Sequence, residues 1–440
     1  MSQPHPEPPT TPVPPRYWWL KRFLIASAAL LVVLFGLRLW WDRIAEARLG
    51  AKIVQIRDSG EPLFPEDFAV APVRDEENAV PLLQHAAAAR PARSGVADLE
   101  QRIADGEDRL DVLTPFVAEH ADMLALARAA HGRTAADWKV QWTSPAIGIS
   151  LPDMAAQREL AKALKLVALY RHARNHDAET VETLHDMLAL GEHLEASGPF
   201  LIPHLVRVAI DALTARTIQS LAPGLSIDVG QNTGPCIGQP ATADQVRILI
   251  AKLLDEQDSQ ARLIRAFQGE RCCELDAALH LARGQVSPEQ LTARGPAGPW
   301  AWLFGPAWKL DALAILDYCT AFVRAAEALN WPAAQTHLPA LGLDDYSPMQ
   351  VVARLPSRLI APSLDRVIQI HFSSLADRRR AAAELAARWF ELEHGRRPAT
   401  LSELVPRYLP YVPCDPFNPN DGEVQCFWPT SSPSTNSAAP

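Results

Sequence analysis

Phe23 to Leu39 reads FLIASAALLVVLFGLRL, and this stretch decides how the rest of the chain is arranged. It is apolar except for one serine and Arg38, and tryptophan pairs flank it at Trp18-Trp19 and Trp40-Trp41. A helix between the two pairs rises roughly 33 Å, which matches a hydrocarbon core of about 30 Å. Tryptophan prefers the lipid–water interface because its ring is apolar and its N–H needs a partner. The pattern predicts a transmembrane helix over residues 23–41.

The position of small and bulky residues favours an uncleaved anchor over a signal peptide. A signal peptide ends its apolar core at a small-residue cleavage site. Here the small run Ala26–Ala29 lies in the middle of the stretch, and bulky Trp40-Trp41 follow it. A buried core helix is the weaker alternative, because it would not need tryptophan at both ends. We expect a single-pass protein that contacts membrane lipid through Phe23 to Leu39.

The orientation of the anchor is predicted from the length of its flanks. Basic residues are nearly balanced, with three before the stretch and four from Arg38 to Lys52, so their distribution decides little. A short tail before the first apolar segment usually stays in the cytosol, and the roughly 400 residues after it are then exported. We therefore expect a large exported C-terminal domain.

Composition limits the class of protein. The chain has 440 residues, enough for two or three domains, and a net charge of −9 that argues against a nucleic-acid partner. Alanine, leucine and arginine dominate and favour helix. The six cysteines form no C-x-x-C pair, so neither a zinc ribbon nor a thioredoxin-type site is predicted.

The clearest helical pattern lies in residues 153–222, where apolar residues recur at spacings of three and four. Asp153 can cap the first of three helices, Asn175-His176-Asp177 makes a turn, and Gly198-Pro199 ends the second helix. Short turns between such helices make neighbours antiparallel. We therefore predict an all-α fold: an N-terminal transmembrane helix, a multi-helix antiparallel array and a small irregular C-terminal turn motif.

Clusters of proline and glycine divide the remaining chain. The first helix should continue to about Arg57, a break is expected near Pro115, and continuous helices are expected over 244–283 and 363–394. The predicted segments are a disordered proline-rich tail (1–22), the transmembrane helix (23–41), a membrane-proximal helical region (42–152), the helical array (153–292), a C-terminal helical region (308–428) and a disordered tail (429–440).

No motif that carries a chemical step is present, and we predict no catalytic, cofactor-binding or metal-binding residues. Glu182-x-x-His185 and Glu391-x-x-His394 match the spacing of helical di-iron sites, but such a site needs two further glutamates. His394 also precedes Gly395, where a helix ends and an imidazole complements the helix dipole. The sequence contains no H-E-x-x-H, G-x-S-x-G or P-loop motif.

Two local clusters have both a structural and a functional interpretation. Gly269-Glu270-Arg271 precedes Cys272-Cys273, and we favour exposed charges beside buried core thiols over a reactive site. The aromatic run from Trp300 to Trp308 overlaps a predicted break at 293–307. This loop either plugs a groove between helices, which we favour, or contacts a partner or the membrane.

The C-terminal block carries a family resemblance. A long helix is followed by His394-Gly395-x-x-Pro, then by Thr400-Leu-x-Glu-Leu, and finally by Asp415-Pro416-Phe417. This order resembles uncharacterised, single-pass, mostly helical bacterial envelope proteins over most of residues 42–428, including Glu77-Asn78-Ala79. The resemblance implies a helical fold and a location in the inner membrane of a bacterium, without an established activity.

The same block locally resembles type II secretion pseudopilins over about forty residues. Pseudopilins begin their membrane helix with a Gly-Phe-Thr-Leu-x-Glu-like sequence, and Phe23-Leu24-Ile25 does not match it. A pilus-subunit role is therefore not carried over.

Two functions of different classes remain open. The leading hypothesis is a membrane-anchored envelope protein that presents a helical interaction surface to another envelope protein. The alternative is a membrane-tethered hydrolase or binding enzyme without a recognisable motif. A deep pocket of converging titratable side chains with shifted pKa values would favour the alternative, and a shallow concave helical surface would favour the first.

Export also predicts a disulfide between Cys414 and Cys426. The pair brackets Asp415 to Gln425, which has few core-forming residues, and Asn420-Asp421-Gly422 can turn the chain so that the cysteines meet. Closing such a loop contributes roughly 3 kcal/mol. Mass spectrometry of unreduced, alkylated peptides should find the two cysteines linked. Recovery of both as separately alkylated thiols would count against the bond and against export.

Overall fold

The computed structural model describes residues 17–90, 93–230, 238–283, 300–339 and 364–419. Its helices are α1 (Trp18–Asp58), α2 (Val80–Ala88), α3 (Arg93–Ala104), α4 (Arg109–Glu119), α5 (Ala121–His131), α6 (Met154–Ala173), α7 (Asp177–Glu195), α8 (Leu201–Leu221), α9 (Ala243–Leu253), α10 (Glu256–Ala282), α11 (Trp300–Ala326), α12 (Trp331–Gln335) and α13 (Leu364–His394). Short 3-10 turns lie at Pro65–Phe68, Ala146–Gly148, Ala222–Gly224 and Leu401–Leu404, and strand β1 (Ile227–Asp228) pairs in parallel with β2 (Ala241–Thr242). The all-α prediction is confirmed.

The two halves of α1 have different surroundings. The first half exposes its apolar side chains, such as Phe23 (69%) and Val32 (71%), because no other part of the described chain covers them. Of the described helices, α1 is the one long and apolar enough to cross a membrane. The second half buries Leu49 and Ile56 in the domain, and the helix ends at Asp58. Its predicted continuation to about Arg57 is therefore confirmed.

Helix α11 runs beside the second half of α1 in the same direction. Lys309 forms ion pairs with Asp42 (3.2 Å) and Glu46 (2.6 Å), and further along Lys52 pairs with Asp317 (2.6 Å). A small apolar cluster from α1, α10 and α11 fills the space between these pairs. Because α1 is continuous from its exposed half into this packing, the anchor helix is joined to the domain without a flexible linker.

Helices α6, α7 and α8 form the centre of the domain, as the spacing of apolar residues predicts. Asp153 caps α6 by accepting a hydrogen bond from the backbone N–H of Ala156 at 2.9 Å. Asn175 turns the chain with a φ of 59°, a left-handed conformation that asparagine adopts more readily than most residues. Helix α13 packs across α8 and α9 and closes this core on one side.

The predicted break at Pro115 is wrong, because this proline lies inside α4. Proline removes one helical hydrogen bond, here the bond to the carbonyl of Asp111. Both residues are exposed, so water can bond the released carbonyl. The chain instead breaks on either side of α4, after Ala104 and at His120.

The continuous helix predicted over 244–283 is two helices, because α9 ends at Leu253 and α10 begins at Glu256. No glycine or proline marks this break. Arg378 of α13 donates hydrogen bonds of 3.0 Å to the backbone carbonyls of Lys252, Leu253 and Asp255. A side chain more than a hundred residues away therefore satisfies the end of α9.

The predicted break at 293–307 is also wrong in its second part, because α11 begins at Trp300. Gly305 lies inside this helix where a side chain would not fit well. A Cβ there would lie 3.1 Å from the carbonyl oxygen of Ala282 and 3.2 Å from Nη2 of Arg38. The glycine thus permits close packing against α1 and the end of α10. The side chains of Trp300 to Phe304 lie outside the described residues, whereas Trp308 is buried.

Exposed charges were expected at Gly269-Glu270-Arg271. This expectation is wrong, because each of the three residues contacts another part of the domain. A Cβ on Gly269 would lie 1.7 Å from the carbonyl oxygen of Pro199, so α10 packs against the chain entering α8 as only glycine allows. Glu270 accepts a hydrogen bond from the backbone N–H of Leu201 at the start of α8. Arg271 is fully buried (0%) and donates to Glu61 at 2.8 Å.

The cysteines divide into buried and exposed groups. Of the two expected core thiols, Cys272 is buried and Cys273 is half-buried. Cys319 is also buried, and burial raises the pKa of Cys272 to about 12. Cys414 is exposed. Cys426 lies outside the described residues, as do most of both predicted disordered tails, so the disulfide stays a prediction.

The contact at Gly269 predicts a position-specific effect of one methyl group. Gly269→Ala should destabilise the protein by about 1–3 kcal/mol or more, because the methyl overlaps the carbonyl of Pro199. Gly50→Ala is the matched control, since Gly50 also lies in a helix but faces open space, and alanine there should stabilise by up to about 1 kcal/mol. Chemical denaturation of the detergent-solubilised full chain measures both. Equal shifts for the two variants would contradict the close packing.

Candidate functional site

A cleft of about 550 Å³ opens between the end of α5, α7, α9 and the start of α10. Its volume lies within the range of small-molecule sites. The lining combines three histidines, three cations and two carboxylates with small apolar residues. These are His131, Arg133, Thr134, Ala135, Ala136, His185, Leu188, Ala189, Glu192, His193, Ala196, Ile248, Ala251, Lys252, Asp255 and Arg262.

The irregular segment after α5 forms one wall of the cleft, and Asn78 holds it in place. The buried amide oxygen of Asn78 accepts from the backbone N–H of Asp137 at 2.9 Å, while the Ala79 N–H donates to the Ala135 carbonyl at 2.9 Å. The indole N–H of Trp138 donates to the backbone carbonyl of His193 at 2.7 Å. Hydrogen bonds thus fix a wall that has no helix of its own.

His131 is oriented by a buried carboxylate. Its Nδ1 lies 2.8 Å from Oδ1 of Asp186, and Asp186 also accepts two hydrogen bonds of 2.9 Å from Nε of Arg128. Arg128 in turn bonds Glu182 at 3.0 Å. A carboxylate that holds one imidazole nitrogen fixes the ring and leaves the other nitrogen to meet a ligand.

The other two imidazoles are held neutral. Burial lowers the pKa of His185 and of His193, while a backbone carbonyl, of Gln245 and Ala130 respectively, accepts a hydrogen bond from each ring. Nε2 of His193 is buried and has no hydrogen-bond partner among the described residues. A neutral imidazole whose first nitrogen donates presents a lone pair on the second. His193 therefore keeps a buried acceptor nitrogen that no described residue uses.

The cations of the cleft differ in how far they are neutralised. Lys252 pairs with Glu192 at 2.6 Å, and Arg262 pairs with Asp258 at 2.9 Å. The guanidinium of Arg133 forms no ion pair with any residue in the described part of the chain. Asp255 also lacks a pair there, but it directly precedes α10, where the helix dipole stabilises a negative charge. Arg133 is thus the cation left for a ligand.

A buried ion network lies behind the cleft. Glu195, at the end of α7, accepts from Nδ1 of His204 at 2.6 Å and from Arg207. Burial alone would raise the pKa of Glu195, but the hydrogen bond from His204 and the charge of Arg207 outweigh it and lower the pKa to about 2. Arg207 continues to Asp211 (3.5 Å), which faces Arg378 of α13 at 3.7 Å. Four helices therefore meet through one set of charges, because Arg262 of α10 also faces Glu195.

His371 of α13 packs against this network without joining it as a cation. Its ring stacks on that of His204 with centroids 5.7 Å apart. Burial, followed by the charges of His204 and Arg378, lowers the pKa of His371 to about 3. The ring is therefore neutral at physiological pH.

This arrangement can bind an anion and move a proton, but the described residues do not assemble a metal centre. No group of three or more His, Cys, Asp or Glu side chains in the described ranges is placed to hold a metal ion. The rings of His131 and His185 stack with centroids 6.1 Å apart. Thr134 supplies the one side-chain hydroxyl among the cleft residues.

The two Glu-x-x-His pairs considered from the sequence do not come together in one site. Glu182 of the first Glu-x-x-His pair binds Arg128 and Gln245, and only its partner His185 lines the cleft. His394 of the second pair stacks on Phe390 with centroids 4.1 Å apart. Of the cleft residues only His185 belongs to a motif considered from the sequence, and none was predicted to form a site. One sequence feature could have pointed to the cleft: Glu182, His185 and Glu192 lie on one face of α7. The residues that these side chains meet come from distant parts of the chain.

Comparison of the chain with protein-family models, with curated proteins and with solved structures found no match.

The neutral state of His371 predicts destabilisation in acid. Below its ordinary pKa of 6.5 the unfolded chain binds a proton that the folded protein does not, down to about 3. Stability is therefore lost as pH falls through this window, by up to ~1.4 kcal/mol per pH unit. Glu195 adds a further loss as pH falls from its ordinary 4.5 toward about 2. Denaturation series at about pH 7 and about pH 5 measure the slope.

His371→Gln should reduce this slope, to which His185 and His193 also contribute, whatever its effect on stability at neutral pH. His337→Gln is the control, because His337 is exposed, and it should keep the slope of the natural protein. An unchanged slope in the His371 variant would contradict the buried neutral ring.

Proposed function

We propose that this protein is a membrane-anchored envelope protein whose helical domain binds a small anionic ligand in the cleft beside α7. The observation that carries the proposal is that Arg133, whose guanidinium forms no ion pair among the described residues, lines the same cleft as three histidines. Guanidinium groups bind carboxylate and phosphate through two parallel hydrogen bonds. The ligand chemistry supported is therefore a carboxylate or a phosphate.

The cleft supports ligand binding better than a flat interaction surface. An interaction protein needs a broad exposed patch, whereas the functional groups here converge in a concave space of about 550 Å³. Lowered pKa values at His185 and His193 are typical of such sites. The two hypotheses drawn from the sequence thus merge into an anchored binding protein.

A hydrolase is the second candidate, and the His131–Asp186 contact of 2.8 Å favours it. In this form His131 would act as a general base that removes a proton from water, and Arg133 would bind the charge that develops on the attacked group. The carboxylate of Asp186 would hold the imidazole in the required tautomer. Turnover of a bound ester distinguishes this candidate from binding alone.

The proposed location is the inner membrane of a bacterium, with the domain exported. Support for a membrane location comes from the exposed apolar half of α1. The rigid packing of α11 against α1 would then keep the cleft at a fixed distance from the membrane surface.

Replacing Arg133 should weaken anion binding selectively. The full chain in lipid nanodiscs should bind methyl phosphate in isothermal titration calorimetry and should not bind uncharged trimethyl phosphate. Arg133→Gln should raise Kd for methyl phosphate about tenfold to a hundredfold, which corresponds to the ~1.5–3 kcal/mol of a charged hydrogen bond. The control Arg216→Gln changes an exposed arginine outside the cleft and should leave Kd unchanged. Equal affinity in both variants, or no binding of methyl phosphate, would refute the proposal.

A further inference from the structure

A second compartment of about 300 Å³ adjoins the cleft. The two spaces share four wall residues: Ala135, Ala136, Ala196 and Arg262. The two spaces are therefore direct neighbours, and the four shared side chains lie at the boundary between them.

The lining of the second compartment differs in character from that of the cleft. Its walls are mainly apolar and come from Val70 and Val73 of the irregular chain before α2, from Pro199 and Phe200 at the start of α8, and from Ala266 of α10. An aromatic stack supports this wall, since the Trp142 ring lies 5.0 Å from that of Phe200 and 5.4 Å from that of Phe68.

The polar groups of the second compartment are largely occupied by the protein. Glu195 is bonded to His204 and Arg207 in the buried network. Arg262 pairs with Asp258, and Arg265 lies over the ring of Phe68 with 5.4 Å between guanidinium carbon and ring centroid. The surface that remains for a ligand is apolar. It includes the aliphatic part of the Arg262 side chain, which lies at the junction of the two spaces.

We propose that the ligand is an anionic amphiphile: a carboxylate or phosphate headgroup at Arg133 and the histidines, and a short alkyl chain in the second compartment. This inference rests on the proposed anion site and adds the ligand class to it. A polar, cationic space beside an apolar one is complementary to an anionic amphiphile. A simple inorganic anion does not match both spaces. Such molecules partition into the membrane in which α1 is proposed to sit, so the anchor keeps the site near its supply.

The test measures how affinity depends on chain length. Methyl, butyl and octyl phosphate are titrated into the full chain in nanodiscs, and heats from empty nanodiscs are subtracted to remove partitioning. Each methylene that enters the compartment should lower Kd by up to about fourfold, which corresponds to ~0.8 kcal/mol per buried methylene. The matching alkyl carboxylates should show the same trend, and a difference between the two series identifies the preferred headgroup.

A charge placed in the apolar wall separates this inference from the anion site. Val73→Asp should bind all three phosphates with the affinity that the natural protein has for methyl phosphate. Leu329→Asp, an exposed loop position (77%) outside both compartments, should keep the chain-length dependence. Binding of methyl phosphate without any gain from longer chains, or an equal gain in the Val73 variant, would overturn the inference and leave the anion site standing. No binding of any anion would overturn both.

Discussion

The ion pair between Glu195 and Arg207 is the interaction on which the rest of the domain depends. Both side chains are buried, and each has further partners, so neither charge is left without compensation. A buried pair of this kind adds little net stability compared with apolar packing, but removal of one partner costs about 3–5 kcal/mol. Its main effect is therefore to select one arrangement of α7, α8, α10 and α13 over competing packings.

The cleft is a consequence of this network. Glu192 sits between Arg207 (3.9 Å) and Lys252 (2.6 Å), and Arg262 faces Glu195 at 3.6 Å. Two of the three cleft cations are thus committed to the protein, which leaves Arg133 on the opposite wall for a ligand. The division between occupied and available charge gives the site its selectivity, because a ligand meets one cation and several fixed neutral rings. The apolar compartment adjoins Arg262, and the network charges that line it, Glu195 and Arg262, are paired within the protein.

Features set by local sequence were predictable, and features set by distant side chains were not. The membrane-spanning pattern and the three central helices follow from apolar periodicity and from caps such as Asp153. The end of α9 does not, because Arg378 determines it from another helix. Gly305 was misread for a related reason: glycine can end a helix or admit a neighbouring one, and only packing distinguishes the two. The cleft escaped prediction because its histidines, Arg133 and Arg262 converge only after folding.

The central claim is that Arg133 and the cleft histidines together hold an anion, and a crystal or cryo-electron-microscopy structure of the full chain with saturating methyl phosphate tests it most directly. The account predicts density for the phosphate within hydrogen-bond distance of the Arg133 guanidinium and of an imidazole nitrogen of His131, His185 or His193. It also predicts that the pairs of Lys252 with Glu192 and of Arg262 with Asp258 persist in the complex. A cleft without the anion, or an Arg133 side chain turned away into solvent with the ligand bound elsewhere, would contradict the account.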